Sequence, residues 1–315
     1  MQLTEGSEKT EQSQSLLPAP DAIFCGNNQN MLTQLRIEFY KLRRSKSFHL
    51  SFAVLVGFVA LMLWGFYTYA EHKTGASART AVQFRHTYES KTYFNGLTFA
   101  LYSLIFSFSL LMPVFVAMTA GGQIAGEARA GTLRTMLLRP VSRIQVFLSK
   151  FAMVALHTYL LMAFFVGLNL LIGYVLMGYD NLELYPGPLN LVDEPGKIMQ
   201  GDAVWRFVYA TFTGTWALLV VGAVAMFCSV LFDSPAMAIV TTLSIYIMLY
   251  IIGRIEFFED LRPYFFTTDM DFWRDVLKPA PPWHSFLHYG SICGAYIFGL
   301  LLAAMTIFDR KDILT

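Results

Sequence analysis

Charge is what this 315-residue chain has least of. Asp, Glu, Lys and Arg together supply 14% of it, while 55% is hydrophobic and 16% aromatic. Soluble domains carry about 25% charged residues, so lipid is the expected surrounding. The net charge of +1 gives no electrostatic reason to expect a nucleic-acid partner. Cysteine is scarce as well: Cys25, Cys228 and Cys293 lie far apart, which excludes a disulfide framework and a cysteine-based metal site. Residues 1–30 are polar. They lack the apolar core of a signal peptide and are expected to form a disordered tail.

Catalytic motifs are missing too. No H-E-x-x-H occurs, and His284 and His288 stand at i, i+4 without the intervening Glu. The phosphate loop G-x-x-x-x-G-K-[ST] is absent; the pair Gly196-Lys197 is followed by Ile198. The chain is therefore expected to be no enzyme, to bind no metal and no cofactor directly, and to hydrolyse no ATP alone.

Long apolar runs are what it does have. A bilayer core of about 30 Å takes roughly 20 apolar residues in a helix. Six runs free of Lys, Arg, Asp and Glu satisfy this, at about 48–70, 97–120, 151–178, 207–232, 236–253 and 289–308. A charge at mid-bilayer costs about 3 kcal/mol on insertion scales, so charge-free runs of this length predict six transmembrane helices. Asp233, Ser234 and Pro235 alone separate the fourth run from the fifth, which makes these two a tight hairpin. An even number of spans puts both termini on one side. Arg36, Lys41, Arg43, Arg44 and Lys46 crowd against the first span, and the positive-inside rule makes that side the cytoplasm. Residues 31–47 place Met31, Leu35 and Phe39 along one face, with basic residues over most of the rest. That pattern predicts an amphipathic interfacial helix whose cations meet membrane lipids or the cytosol.

Between spans 2 and 3 the chain reads GGQIAGEARAGTLRTMLLRPVSRIQVFLSK. Leu133, Met136 and Leu137 recur at helical spacing, while Arg129, Arg134 and Arg139 project elsewhere. Gly131 interrupts the helix or marks a close approach. Pro140 lacks an N–H and turns Arg139 away from helical geometry. Ser142 is a suitable cap for a second helix that continues into span 3. The expected product is a short cytoplasmic helix, an elbow and a second helix continuous with the membrane.

These residues resemble the signature segment of ABC-2 type transporter permeases, with its Glu, Gly-Thr-Leu, Pro-Val-Ser-Arg and Lys at Glu127, Gly131, Thr132, Leu133, Pro140, Val141, Ser142, Arg143 and Lys150. The closing FDRKDIL, at 308–314, resembles the common ending of that family. Arg134 departs from the acidic or polar residue often found after Gly-Thr-Leu. The resemblance implies an all-α membrane protein, its domain running from 48 to 315, with a cytoplasmic coupling helix between spans 2 and 3. It also implies a multi-pass permease of the cell membrane, working mostly as an exporter. ATP would be hydrolysed by a separate ABC ATPase subunit, and a second permease chain, identical or related, would complete the complex. Glu127, Gly131, Thr132, Leu133, Arg139, Pro140 and Arg143 would form the ATPase-coupling segment, Glu127 through an ionic or polar contact and Gly131-Thr132 through a close turn.

Some features stay open. His157 and Asn169 are polar residues inside span 3, and intramembrane polar groups are candidates for function or for helix-to-helix hydrogen bonds. Pro113 in span 2 is either a static bend or a moving kink. Gly290 and Gly294 permit close packing within the chain or against a second one. Residues 254–288 mix aromatics with acids and suit an interfacial or partly re-entrant helix. Two rival classes remain, an ion- or proton-coupled secondary transporter and a membrane anchor for another complex. A secondary transporter usually holds a charge at mid-membrane, and the six runs hold none.

Overall fold

A computed structural model of the chain describes residues 27–75, 95–132, 142–184 and 196–311. In chain order it has helices α1 (Asn27–Arg44), α2 (Lys46–Gly75), α3 (Gly96–Gly121), α4 (Ala125–Arg129) and α5 (Arg143–Met177), then strands β1 (Leu182–Leu184) and β2 (Gly196–Ile198). Helices α6 (Gln200–Leu231), α7 (Pro235–Ile252), α8 (Phe266–Asp269) and α9 (Trp283–Arg310) follow. Two 3-10 segments, Glu256–Tyr264 and Met270–Leu277, flank the single turn of α8. Helices α2, α3, α5, α6, α7 and α9 are each long and apolar enough to cross a bilayer. The protein is an all-α membrane protein with six spans. They alternate between a motif end, where 121–132 and 142–150 lie, and a far end.

Helix α6 is the centre of the bundle. Ala217 to Met226 are buried without interruption, as expected of a helix that is apolar on all sides. A Cβ built on Gly222 would stand 3.3 Å from Val154 of α5 and 3.4 Å from Val116 of α3, which is how closely the two neighbours approach. Spans 2 and 3 meet still more tightly at the far end: a Cβ on Gly96 would fall 2.4 Å from the backbone of Gly173. The start of α3 is fixed there by Asn95, whose side chain accepts from the N–H groups of Leu97 and Thr98.

Helix α5 starts at Arg143, well before the apolar run from 151, because Ser142 caps it as its sequence suggests by accepting from the Gln145 N–H at 3.2 Å. Its basic first turns find partners inside the protein, described below. Helix α3 passes through Pro113 without breaking. Proline leaves the carbonyl four residues earlier without its helical donor, and the Tyr246 hydroxyl of α7 donates to that carbonyl, Ser109 O, at 3.0 Å. Tyr246 also walls an apolar groove of about 480 Å³ lined by Phe58, Met62, Phe106, Leu110 and Leu243.

The far end holds what the sequence pattern did not announce. Strands β1 and β2 pair antiparallel, Leu182 opposite Ile198 and Glu183 opposite Lys197. Leu182, Leu184 and Ile198 turn inward while Glu183 and Lys197 face each other at 4.0 Å. In place of one helix across 254–288, the two 3-10 segments fold back among the spans. Trp273 is fully buried and its ring lies 4.7 Å from Phe108, midway along α3. Arg206 anchors the end of this insertion by donating to the carbonyls of Val276, Lys278 and Pro279. Gly290 and Gly294 pack within the chain: the Trp216 indole N–H of α6 donates to Gly290 O at 3.0 Å, and its ring lies against Gly294.

Candidate functional site

The connector leaves α3 under firm control. Ser229, near the end of α6, donates its hydroxyl to Gly121 O at 2.8 Å and accepts from the N–H groups of Ile124 and Ala125 at 3.1 and 2.9 Å. Three backbone groups freed by the end of α3 are thereby satisfied. Helix α4 then runs for five residues and stops at Gly131, whose φ of +69° is a left-handed geometry that glycine adopts at little cost. Among the described residues no atom lies within 4 Å of a Cβ built there, so Gly131 marks a turn. Arg129 to Thr132 include only half-exposed or exposed side chains; Thr132 donates to Glu127 O at 3.3 Å.

Glu127, by contrast, looks inward. Its Oε2 lies 2.7 Å from Nζ of Lys150 on α5, and its Oε1 lies 2.9 Å from Nζ of Lys41 on α1. Both ammonium groups also meet Glu38 Oε1, Lys150 at 3.3 Å and Lys41 at 3.2 Å. Lys150 is fully buried and the Glu38 side chain is 3% exposed. Burial alone would raise the Glu127 pKa, but Lys150 and Lys41 together outweigh it and hold the carboxyl below its usual range. Burial would likewise lower that of Lys41, and its contacts with Glu127 and Glu38 reverse the sign. The face that α1 turns to the protein is therefore Gln34, Glu38 and Leu42, all buried, while Phe39 and Tyr40 stay exposed. A predominantly polar stripe faces inward because Lys150 needs carboxylates there.

At the other end of the connector, Arg143 grips the last turn of α9. One guanidinium nitrogen donates to the carbonyls of Phe308, Asp309 and Lys311 at 3.3, 2.9 and 3.0 Å. A cation is favoured at a helix C-terminus, where carbonyls lack intrahelical donors. Phe147 and Phe308 pack beside this clamp, ring centroids 6.1 Å apart. Lys311 in turn bonds Val230 O at 3.0 Å and Asp233 Oδ1 at 2.8 Å, fastening the end of α9 to the α6–α7 turn.

The family model described as "ABC-2 family transporter protein" matches residues 34–249, more than half of the chain. The chain belongs to the ABC-2 transporter family. Its matched region runs from α1 through α7 and includes all of the connector. A relative in Bacillus subtilis (strain 168), "Uncharacterized protein YhcI", is 25% identical over 134 residues. That alignment spans 42% of each chain, so this chain covers less than half of the relative's length.

Of the segment that the ABC-2 resemblance singles out, Glu127 and Arg143 are placed at the connector's two attachments, and Gly131 and Thr132 at its exposed turn. Leu133, Arg139 and Pro140, with the elbow expected around them, lie outside the described residues. The intramembrane pair is not brought together by hydrogen bonds. His157 is buried and bridges three spans, its Nδ1 3.0 Å from the Thr119 hydroxyl of α3 and its Nε2 3.4 Å from the Ser51 hydroxyl of α2. Asn169 donates only to Phe165 O on its own helix, and its Oδ1 has no hydrogen-bond partner among the described residues. In the sequence Glu38 stands out by no motif, Lys41 is one of the cations crowded beside the first span, and Lys150 is a motif letter. The available signal was Glu38, the one acid in the 18 residues of α1.

Proposed function

We propose that the chain is the membrane-spanning permease subunit of an ATP-driven exporter of the cell membrane, with both termini cytoplasmic. A separate ABC ATPase subunit binds at the connector between α3 and α5, and a second permease chain, identical or related, completes the complex. The observation that carries this reading is the connector's construction. Family-signature residues Glu127, Arg143 and Lys150 fasten its two ends to α1, α5 and α9, while its described middle, Arg129 to Thr132, stays accessible. A push on that middle is delivered to the spans because the ends cannot slip. Helix α1 lies in the headgroup layer, with its Arg36, Arg43 and Arg44, and Lys46 at the start of α2, exposed toward anionic lipid.

Purification of the full chain in mild detergent, together with the ABC ATPase of its own genomic neighbourhood, tests this. A stable complex whose ATP hydrolysis responds to the permease is the expected result. A monodisperse permease that never retains an ATPase overturns it.

A further inference from the structure

Glu38, Lys41, Glu127 and Lys150 form a closed ring of alternating charge in which every cation touches both carboxylates. Three elements contribute: α1 gives Glu38 and Lys41, α4 gives Glu127, and α5 gives Lys150. Lys150 is the fixed post, fully buried on a helix of 35 residues. Glu127 is the last residue of the connector held this way before the chain turns outward at Gly131. Helix α1 is joined to span α2 by Ser45 alone, with Ser45 N–H bonded to Leu42 O at 3.1 Å and His49 Nδ1 3.1 Å from Ser45 O. Anything that displaces Glu127 therefore changes the charge balance around α1, and α1 is continuous with span 1. Lys150 and Glu38 are buried, and a buried charge that loses a partner is strongly disfavoured, so a displacement of Glu127 is felt by both; Lys41, 42% exposed, is the looser member of the ring.

We propose that Glu38, Lys41 and Lys150 are positioning residues that yoke α1, and through it span 1, to the connector. The two then move as one body. The role of this yoke in transport rests on the reading that an ATPase acts on the connector; the yoke itself does not. The neutral double substitution Glu38→Gln with Lys41→Met removes one cation and one anion, and leaves the Glu127–Lys150 pair in place. Glu127→Gln cuts the ring from the other side.

Amide hydrogen exchange of the full chain in lipid nanodiscs tests the yoke. The double variant should speed exchange across 125–132 by about tenfold, and Glu127→Gln should do the same across 33–44, a coupling of ordinary size between contacting groups. Exchange in the far-end strand 182–184 should not change, which separates yoking from general loosening, and Lys41→Arg should keep wild-type exchange. If each cut loosens only its own element, or if 182–184 loosens equally, the proposal is overturned. A second arm adds the ATPase with ATP and vanadate. Nucleotide-dependent exchange in both 125–132 and 33–44, lost from 33–44 in the double variant, supports the yoke in its transport role. Reciprocal loosening in the first arm without any nucleotide response in the second retains the yoke and sinks the ATPase reading.

Discussion

Tyr246 carries a cost that Pro113 imposes. A carbonyl inside a span has no water to turn to, and an unsatisfied one costs several kcal/mol in hydrocarbon. Ser109 O loses its helical donor to the proline and recovers one from the Tyr246 hydroxyl, 137 residues away in sequence. Tyr246 is 5% exposed, so water is a poor substitute. Tyr246→Phe keeps the ring and removes the donor; it should lower stability by about 1–3 kcal/mol, read as a lower unfolding temperature in detergent. The companion change Pro113→Ala restores the helical donor and should rescue most of the loss. Equal losses in Tyr246→Phe with and without Pro113→Ala would show that the hydroxyl does something else. The proline was legible in the sequence as a bend. Its partner was not, because a hydroxyl that reaches across helices leaves no periodic trace. His157 is similar: its polarity was visible, but its bonds to Thr119 and Ser51 depend on how three helices cross.

Among the elements, α1 shows what helical periodicity leaves out. The stripe of Leu35 and Phe39 marks an amphipathic helix, and Phe39 is 43% exposed; the stripe turned to the protein holds Glu38, 3% exposed. Hydrophobic patterning locates the face that leaves water, and in a membrane protein that face can meet lipid. The protein-facing stripe is then free to be polar, provided each charge has a partner. The pH dependence of this contact follows from the ring. Glu127 has its pKa depressed below the usual 4.5 when folded, so its contribution is present above 4.5 and is lost as pH falls through the folded value. Lys41 has its pKa raised above 10.5, so its contribution is present below 10.5 and is lost as pH rises through the folded value. The attachment of α1 should therefore be flat from about pH 5 to about pH 10 and weaken outside that window. Accessibility of a cysteine placed at Ile37, corrected for the thiolate fraction, would show it; a titration centred near neutrality would contradict the assignment.

For the molecule as a whole, the motif end is braced by polar clamps and the far end by burial of Trp273, the Gly96–Gly173 crossing and the β1–β2 hairpin. The six spans were legible because charge-free runs of about 20 residues have no other comfortable environment. The connector was legible as a motif, but the reason for its spacing was not. Arg143 supplies one: that residue grips the backbone of 308–311, so the segment that resembles the family signature and the end of the last span meet in one contact. The far-end hairpin and the inserted 3-10 segments had no comparable signature, since short strands and aromatic-acidic loops are common in solvated chain. The clamp makes a graded prediction. Arg143→Ala strips the cation from three carbonyls at the end of α9, and hydrogen bonds to charged groups contribute about 1.5–3 kcal/mol. Asp233→Asn breaks only the Lys311 ion pair, whose carboxylate is 84% exposed, and exposed pairs contribute less than about 1 kcal/mol. Thermal unfolding in one detergent should thus rank wild type close to Asp233→Asn and well above Arg143→Ala. Limited proteolysis should cut Arg143→Ala first near residue 311, where α9 has lost its anchor. If Asp233→Asn proves the more damaging, the end of the last span is held by the α6–α7 turn, and Arg143 is a passenger.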